Sequence, residues 1–223
     1  MKYVIANWKM NMNLEDLTRW VAGFSALQSC ITPQVEVILA PSFVYIPAMA
    51  ELSQKTQIKL SSQDVSLEEK GAHTGETGAF QIKEFCKYAI IGHSERKEKK
   101  DTVIKKRDIS LIEGITPIIC FVNSKDLKDL YSQNCIFVWE DPKNISKNGV
   151  YNAKSIPEIE KTVKEIRKKL PDQTILLYGG SVNESNIKEI SKIEKLDGVL
   201  VGNASLDTKT FADIISAYSQ KSE

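Results

Sequence analysis

A carboxylate, an imidazole and an ammonium group each stand where an apolar run ends. Glu140 closes Ile136-Phe137-Val138-Trp139, and His93 follows Ala89-Ile90-Ile91-Gly92. Asn7 and Lys9 come directly after Tyr3-Val4-Ile5-Ala6. A carboxylate on a greasy base loses hydration and becomes a stronger base. Ser94-Glu95 after His93 is a helix-start pattern. The backbone N–H groups of such a turn disfavour positive charge, so His93 is expected to donate a hydrogen bond as a neutral ring. Lysine and asparagine nearby would hold or polarise an anionic oxygen. Each residue alone has a plainer reading. Glu140 would be a carboxylate paired with a loop lysine, His93 a structural histidine, and Lys9 and Asn7 surface groups.

Two further turns read as anion cradles. Gly179-Gly180-Ser181 and Gly202-Asn203-Ala204-Ser205 both open onto short helices. Glycine lets backbone N–H groups approach an anion, and helix N-termini favour negative charge. The chain has no G-x-G-x-x-G and no Walker A pattern, which disfavours a dinucleotide or nucleoside triphosphate.

The elements that must position these groups follow from the apolar pattern. Strands are expected at Tyr3–Ala6, Val35–Ala40, Ile58–Ser61, Ala89–Ile91, Thr116–Phe121, Ile136–Trp139, Thr174–Tyr178 and Gly198–Val201. Such continuous runs mark strands buried on both faces. Helices are expected between them. One is capped by Asn13, with Leu14, Leu17, Trp20, Val21, Phe24 and Leu27 on its buried face. Others are expected at Ile46–Leu52, Phe80–Lys87, Thr102–Glu113 and Glu184–Ile193. Ser155 and Glu158 form a capping box ahead of Ile156, Ile159, Val163, Ile166 and Leu170, and the last helix carries Phe211, Ile214, Ile215 and Tyr218. Only Val122–Cys135 joins the fifth and sixth strands, room for a turn or two of helix. Strict strand–helix alternation over eight units predicts one α/β domain across residues 1–223, a closed (β/α)8 barrel with a shortened fifth helix. Sites in such barrels lie at the C-terminal strand ends, where Asn7, Lys9, His93, Glu140, Ser181 and Gly202 all fall.

The 223 residues carry 30 basic and 29 acidic side chains, a net charge of +1. That balance argues against a nucleic-acid groove. The Lys-rich stretch Lys97–Arg107 is expected to be a solvated helix face. The four cysteines form no C-x-x-C pair and do not cluster with the two histidines, so neither a metal nor a disulfide framework is expected. No secretory pattern opens the sequence and no run reaches the roughly 18 apolar residues of a membrane span. The expectation is a cytoplasmic protein.

Asn7-Trp8-Lys9-Met10-Asn11, Thr74-Gly75-Glu76, Gly92-His93-Ser94-Glu95-Arg96, Tyr178-Gly179-Gly180-Ser181-Val182 and Gly198–Leu206 together resemble the triosephosphate isomerase family. A histidine kept neutral by a helix start is a well-known feature of that family, so the reading of His93 is not independent of the resemblance. The resemblance implies interconversion of dihydroxyacetone phosphate and glyceraldehyde 3-phosphate without cofactor or metal. It implies Glu140 as base, His93 as neutral electrophile, Lys9 and Asn7 as substrate-positioning groups, and Glu95 as the support of Lys9. It also implies that Ser181, Gly202 and Asn203 bind phosphate, and that Ile145 and Leu200 close over the carboxylate. Thr74 and Glu76 match a loop that inserts into a second subunit, so a homodimer is implied. The lid keeps only the isoleucine of Pro-Val-Trp-Ala-Ile-Gly-Thr-Gly, reading Asp141-Pro142-Lys143-Asn144-Ile145-Ser146-Lys147-Asn148 here, with Ser146 offering a backbone N–H in place of glycine. Asn203 replaces a second glycine, and asparagine tolerates left-handed backbone. Two other readings use the same residues. One is a non-catalytic barrel that binds phosphate metabolites; the other is a sugar-phosphate enzyme using Lys9 as a Schiff base.

Overall fold

A computed structural model describes residues 1–54, 56–145 and 152–219. Eight strands run β1 (Lys2–Asn7), β2 (Val35–Ala40), β3 (Lys59–Ser62), β4 (Tyr88–Ile91), β5 (Thr116–Phe121), β6 (Ile136–Trp139), β7 (Ile175–Tyr178) and β8 (Gly198–Val201). Each pairs in parallel with the next, and β8 returns to β1 to close the barrel. The helices are α1 (Leu14–Ser25), α2 (Ile46–Gln54), α3 (Ala79–Ile82), α4 (Lys100–Ile112), α5 (Leu127–Leu130), α6 (Ile156–Arg167), α7 (Ile187–Ile190) and α8 (Thr208–Ser219). Among the described residues no helix is long and apolar enough to cross a membrane.

Alternation along the strands divides the apolar side chains into two layers. Ile5, Ile38, Ile90, Ile118, Val138 and Leu200 fill the inside of the barrel. Val4, Leu39, Ile91, Phe137, Leu176 and Val201 face outward and meet the helices. An aromatic cluster packs outside the strands where the barrel closes. Trp20 stacks on Phe24 at 4.7 Å and meets Trp8 edge-on at 5.0 Å. Its indole N–H also donates to the Ser205 carbonyl at 3.0 Å, tying α1 to the turn after β8.

The helix starts follow their caps. Asn13 Oδ1 accepts the Asp16 N–H at 2.9 Å and Asp16 returns the bond to the Asn13 N–H at 3.2 Å. Glu158 Oε2 accepts the Ser155 N–H at 3.2 Å at the head of α6. Phe211, Ile214, Ile215 and Tyr218 are all buried on α8.

Several expectations need correction. Leu14 is 61% exposed, because as the first residue of α1 it lies off the Leu17–Trp20–Phe24 stripe. The helix expected over Phe80–Lys87 is the single turn Ala79–Ile82, since Lys87 already donates to Leu60 and begins the pairing of β3 with β4. The helix expected over Glu184–Ile193 shrinks to Ile187–Ile190. There Asn183 Oδ1 takes the Ser185 N–H at 2.8 Å, a local turn that competes with helix. The Lys97–Arg107 stretch is not wholly a solvated face. Lys106 is buried and reaches Asp64 at 2.6 Å and Glu98 at 2.5 Å.

The α1 assignment is testable by chemical denaturation. Trp20→Ala should cost about 3–5 kcal/mol, as for other large aromatic truncations in cores. Leu14→Ala should change stability by less than about 0.5 kcal/mol, as for exposed sites. A large loss at Leu14 would put it back in the core.

Candidate active site

The parallel barrel gathers the candidate residues at one mouth, because every strand ends on the same side. Glu140 directly follows β6, and its N–H donates to the Phe121 carbonyl at 2.9 Å, one rung beyond the strand pairing. The side chain is only 1% exposed. Gly179, at the end of β7, makes room for it. A Cβ there would lie 2.7 Å from Val138 and 3.1 Å from Glu140 Cγ. Gly92 does the same for the histidine, with φ at +71° and a missing Cβ that would approach the Cys120 carbonyl to 2.9 Å. The chain can therefore turn inward and present His93 to the mouth.

Glu140 Oε1 lies 3.0 Å from His93 Nε2. The ring N–H does not aim at it, and Oε1 has no aligned donor among the described residues. Oε2 accepts the Ser94 N–H at 2.9 Å. Among the described residues no lysine pairs with this carboxylate, as the plainer reading would have it. On the other side of the ring, His93 Nδ1 accepts the Glu95 N–H at 3.2 Å. An accepting Nδ1 assigns the proton of a neutral ring to Nε2, the nitrogen that faces the carboxylate. Ser94–Arg96 form a turn, closed by Arg96 N–H to the His93 carbonyl at 2.9 Å, and α4 starts only at Lys100. The helix start expected at His93 is thus a single turn, with its amide still directed at the imidazole.

Lys9 adopts a left-handed backbone, with φ at +53°. The Asn7 side chain accepts its N–H at 3.0 Å, while Ser42 Oγ and Gln63 Nε2 both donate to its carbonyl at 2.9 Å. Its ammonium meets Glu95 at 2.6 Å. Asn7 is buried, with its Oδ1 committed to Lys9.

The two small-residue turns lie beside this group. Gly202 packs on Lys9, where an added Cβ would sit 3.6 Å from Lys9 Cε. Ser205 donates to the Gly202 carbonyl from both N–H, at 2.9 Å, and Oγ, at 2.7 Å. Asn203 begins a 3-10 turn, Asn203–Leu206, and its φ is not positive. Tolerance of left-handed backbone is therefore not what admits asparagine there. Ser181 is buried, and its hydroxyl is engaged by the chain on either side of residues 146–151. The Ser181 and Gly202 N–H groups have no acceptor among the described residues. Leu200 is buried inside the barrel below the mouth, and Ile145 is half-buried where the 3-10 turn Pro142–Asn144 ends. Ser146 lies outside the described residues. Thr74 and Glu76 are exposed on the long connection between β3 and α3.

Two features are not apparent from the sequence. Behind His93, Glu98 Oε2 accepts the Gly92 N–H at 3.2 Å, and Glu98 is itself held by buried Lys106. Arg96 pairs with Asp64 at 2.5 Å in the same cluster. Cys120 sits beside the carboxylate. Burial first, then the Glu140 charge and hydrogen bond, push its thiol well above the ordinary range. An acid two residues after Arg96 and a cysteine near a strand end are visible signals, but neither has a characteristic spacing.

A closed parallel barrel with a buried carboxylate, an imidazole and an ammonium group at one mouth, beside two small-residue turns, has the architecture of a sugar-phosphate isomerase. A family model described as Triosephosphate isomerase matches residues 2–134 and 123–218. A Triosephosphate isomerase of Dehalococcoides mccartyi is 33% identical, over 95% of this chain and 94% of the relative. One from Aquifex aeolicus is 30% identical over 97% and 99%, and one from Wolbachia pipientis 31% over 98% and 94%. The chain belongs to the triosephosphate isomerase family.

The thiols provide a check on how tightly this site is packed. Burial pushes Cys86 and Cys135 up to about 12 and Cys30 to about 11, in the same direction as Cys120. Raised values mean less thiolate at about pH 8, so Ellman's reagent should label the native protein slowly and all four cysteines on unfolding. Rapid native labelling of Cys120 would contradict the packing around Glu140.

Proposed function

We propose that this protein interconverts dihydroxyacetone phosphate and glyceraldehyde 3-phosphate, with Glu140 as the base. The observation that carries the reading is the buried Glu140 carboxylate at 3.0 Å from the His93 ring, in the mouth that also holds Lys9 and the two small-residue turns. Glu140 takes a proton from the carbon beside the carbonyl. The electron pair of that C–H bond moves into a new C=C bond, and the carbonyl oxygen takes up negative charge. His93 Nε2–H and the Lys9 ammonium stabilise that oxygen, and Asn7 orients the substrate. The hydroxyl proton of the first carbon passes to the oxygen of the second. Glu140 returns its proton to that second carbon using the C=C electron pair, and the first carbon is left as the aldehyde. One base serves both carbons, so the cycle needs no cofactor.

The resting geometry gives Glu140 a specific first task. Its Oε2 must leave the Ser94 N–H to reach a substrate carbon. The phosphate is held by the backbone N–H groups of Ser181, Gly202 and Asn203, with Ser146, Ile145 and Leu200 closing the site. Lys9 Nζ is held by Glu95 at 2.6 Å, a contact that an amine nucleophile would have to leave, which counts against a Schiff-base role.

We read the protein as a soluble homodimer. Met10 is 95% and Val44 78% exposed, and Leu67 is exposed as well. They lie on the consecutive loops after β1, β2 and β3, which Lys9 joins through Ser42 and Gln63. Thr74 and Glu76 extend from the third of these loops. Large apolar side chains exposed on three consecutive loops, beside an exposed connection, favour burial against a second copy.

A coupled assay tests the chemistry. The parent should turn over, and Glu140→Gln should lose about 10²–10⁴-fold, the usual worth of a positioned base. Glu140→Asp, which retracts the carboxylate by about 1 Å, should lose on the order of 10²-fold. Phosphate binding without turnover by the parent would instead favour the non-catalytic barrel. Sedimentation tests the assembly. The parent should run as a dimer and a Met10→Lys, Val44→Lys double variant as a monomer, whereas a monomeric parent would refute the dimer.

A further inference from the structure

The chain on the two sides of residues 146–151 is tied together by its own side chains. Asp141 meets Lys154 at 3.0 Å. Asn144 Nδ2 donates to the Asn152 carbonyl at 2.8 Å, and Asn152 Nδ2 donates to the Lys143 carbonyl at 2.6 Å. Each asparagine therefore holds the backbone of the opposite side. Both sides then converge on Ser181, whose Oγ donates to the Asn144 carbonyl at 2.7 Å and accepts the Asn152 N–H at 3.2 Å. Asn186 Nδ2 fixes the Ser181 carbonyl at 2.8 Å.

This arrangement divides the work of Ser181. Its hydroxyl and carbonyl are occupied by the protein, and its N–H is the polar group left without an acceptor among the described residues. An anion meeting this turn would therefore meet a backbone donor whose direction is already fixed. Fixing a donor beforehand lowers the ordering cost of binding. The asparagines do not point their own bonds at Ser181. They hold together the two backbone groups, the Asn144 carbonyl and the Asn152 N–H, that the Ser181 hydroxyl needs at the same time.

We propose that Asn144 and Asn152 form a clamp that positions Ser181 for the substrate phosphate. They are positioning residues, and the assignment rests on the reading of this mouth as a triose-phosphate site. Alanine at either position removes the clamp while leaving both backbone partners of Ser181 in the chain. Each single variant, Asn144→Ala or Asn152→Ala, should weaken inorganic phosphate about three- to tenfold in an equilibrium titration, the range of one lost hydrogen bond. The KM for dihydroxyacetone phosphate should rise by the same factor, with kcat within about twofold. The double variant should be weaker than either single by less than the product of their effects, because the two bonds act as one unit.

A merely structural role would lower the melting temperature or the active fraction and leave phosphate affinity untouched. Unchanged phosphate affinity in both single variants overturns the clamp, whatever happens to kcat. The titration needs no turnover. A parent that binds phosphate but does not isomerise triose phosphates refutes the proposed reaction, while the variants still decide the clamp.

Discussion

The structure depends on a carboxylate kept almost dry. A carboxylate taken from water is costly unless donors replace its hydration. Glu140 is 1% exposed; its Oε2 accepts the Ser94 N–H, and the Cys120 thiol lies beside the carboxylate. Oε1 is close to the His93 ring but lacks an aligned hydrogen bond. The group is thus partly satisfied, which suits the proposed role of a base that exchanges its resting partner for a substrate proton. The surroundings enforce this state. Val138 and Cys120 lie in the inner barrel layer, and Gly179 leaves no atom where a side chain would displace the carboxylate.

The same constraint explains the charged cluster on the far side of His93. The imidazole keeps its place beside the carboxylate only if the turn carrying it is fixed, and that turn starts at Gly92, where the backbone is least restrained. Glu98 accepts the Gly92 N–H, Lys106 holds Glu98, and Arg96 and Lys106 share Asp64. This network of paired charges, with Lys106 at its buried centre, holds one glycine. Desolvation is offset by pairing of opposite signs, and the main effect is on geometry rather than net stability.

What is legible in the sequence is what is written locally. Continuous apolar runs mark eight strands, and their ends mark Asn7, Lys9, His93, Glu140, Ser181 and Gly202, because parallel strands deliver consecutive ends to one face. Capping boxes at Asn13 and Ser155 mark two helices for the same reason. Features made by distant residues are not legible. Lys106 looks solvated within a charged stretch, and only the approach of Asp64 from the β3 side buries it. Ser181 reads as a phosphate ligand, but the direction of its hydroxyl is set by Asn144 and Asn152, 37 and 29 residues earlier in the chain. Leu14 and the short α3 and α7 fail on a smaller scale, where apolar content does not reveal how many turns fit before the next strand.

The shortened wall after β5 shows how the barrel separates stability from chemistry. The four residues of α5 cannot cover the strands as a full crossover helix would. At the other end of the barrel lies a cavity of about 480 Å³, lined by Tyr88, Tyr131, Asn134 and Thr174 among others. Arg107 compensates from α4. Its Nη1 donates to the carbonyls of Asp129 and Leu130 at 2.9 Å and of Tyr131 at 3.3 Å, satisfying backbone groups that a short helix leaves exposed at its end. The two matched segments of the family model overlap at residues 123–134, the same connection. At the mouth, β5 still delivers Cys120 beside Glu140 and the Phe121 carbonyl to the Glu140 N–H. The wall can therefore lose most of a helix because the carboxylate is positioned by strand ends, and those ends are held by barrel pairing rather than by the helix outside them.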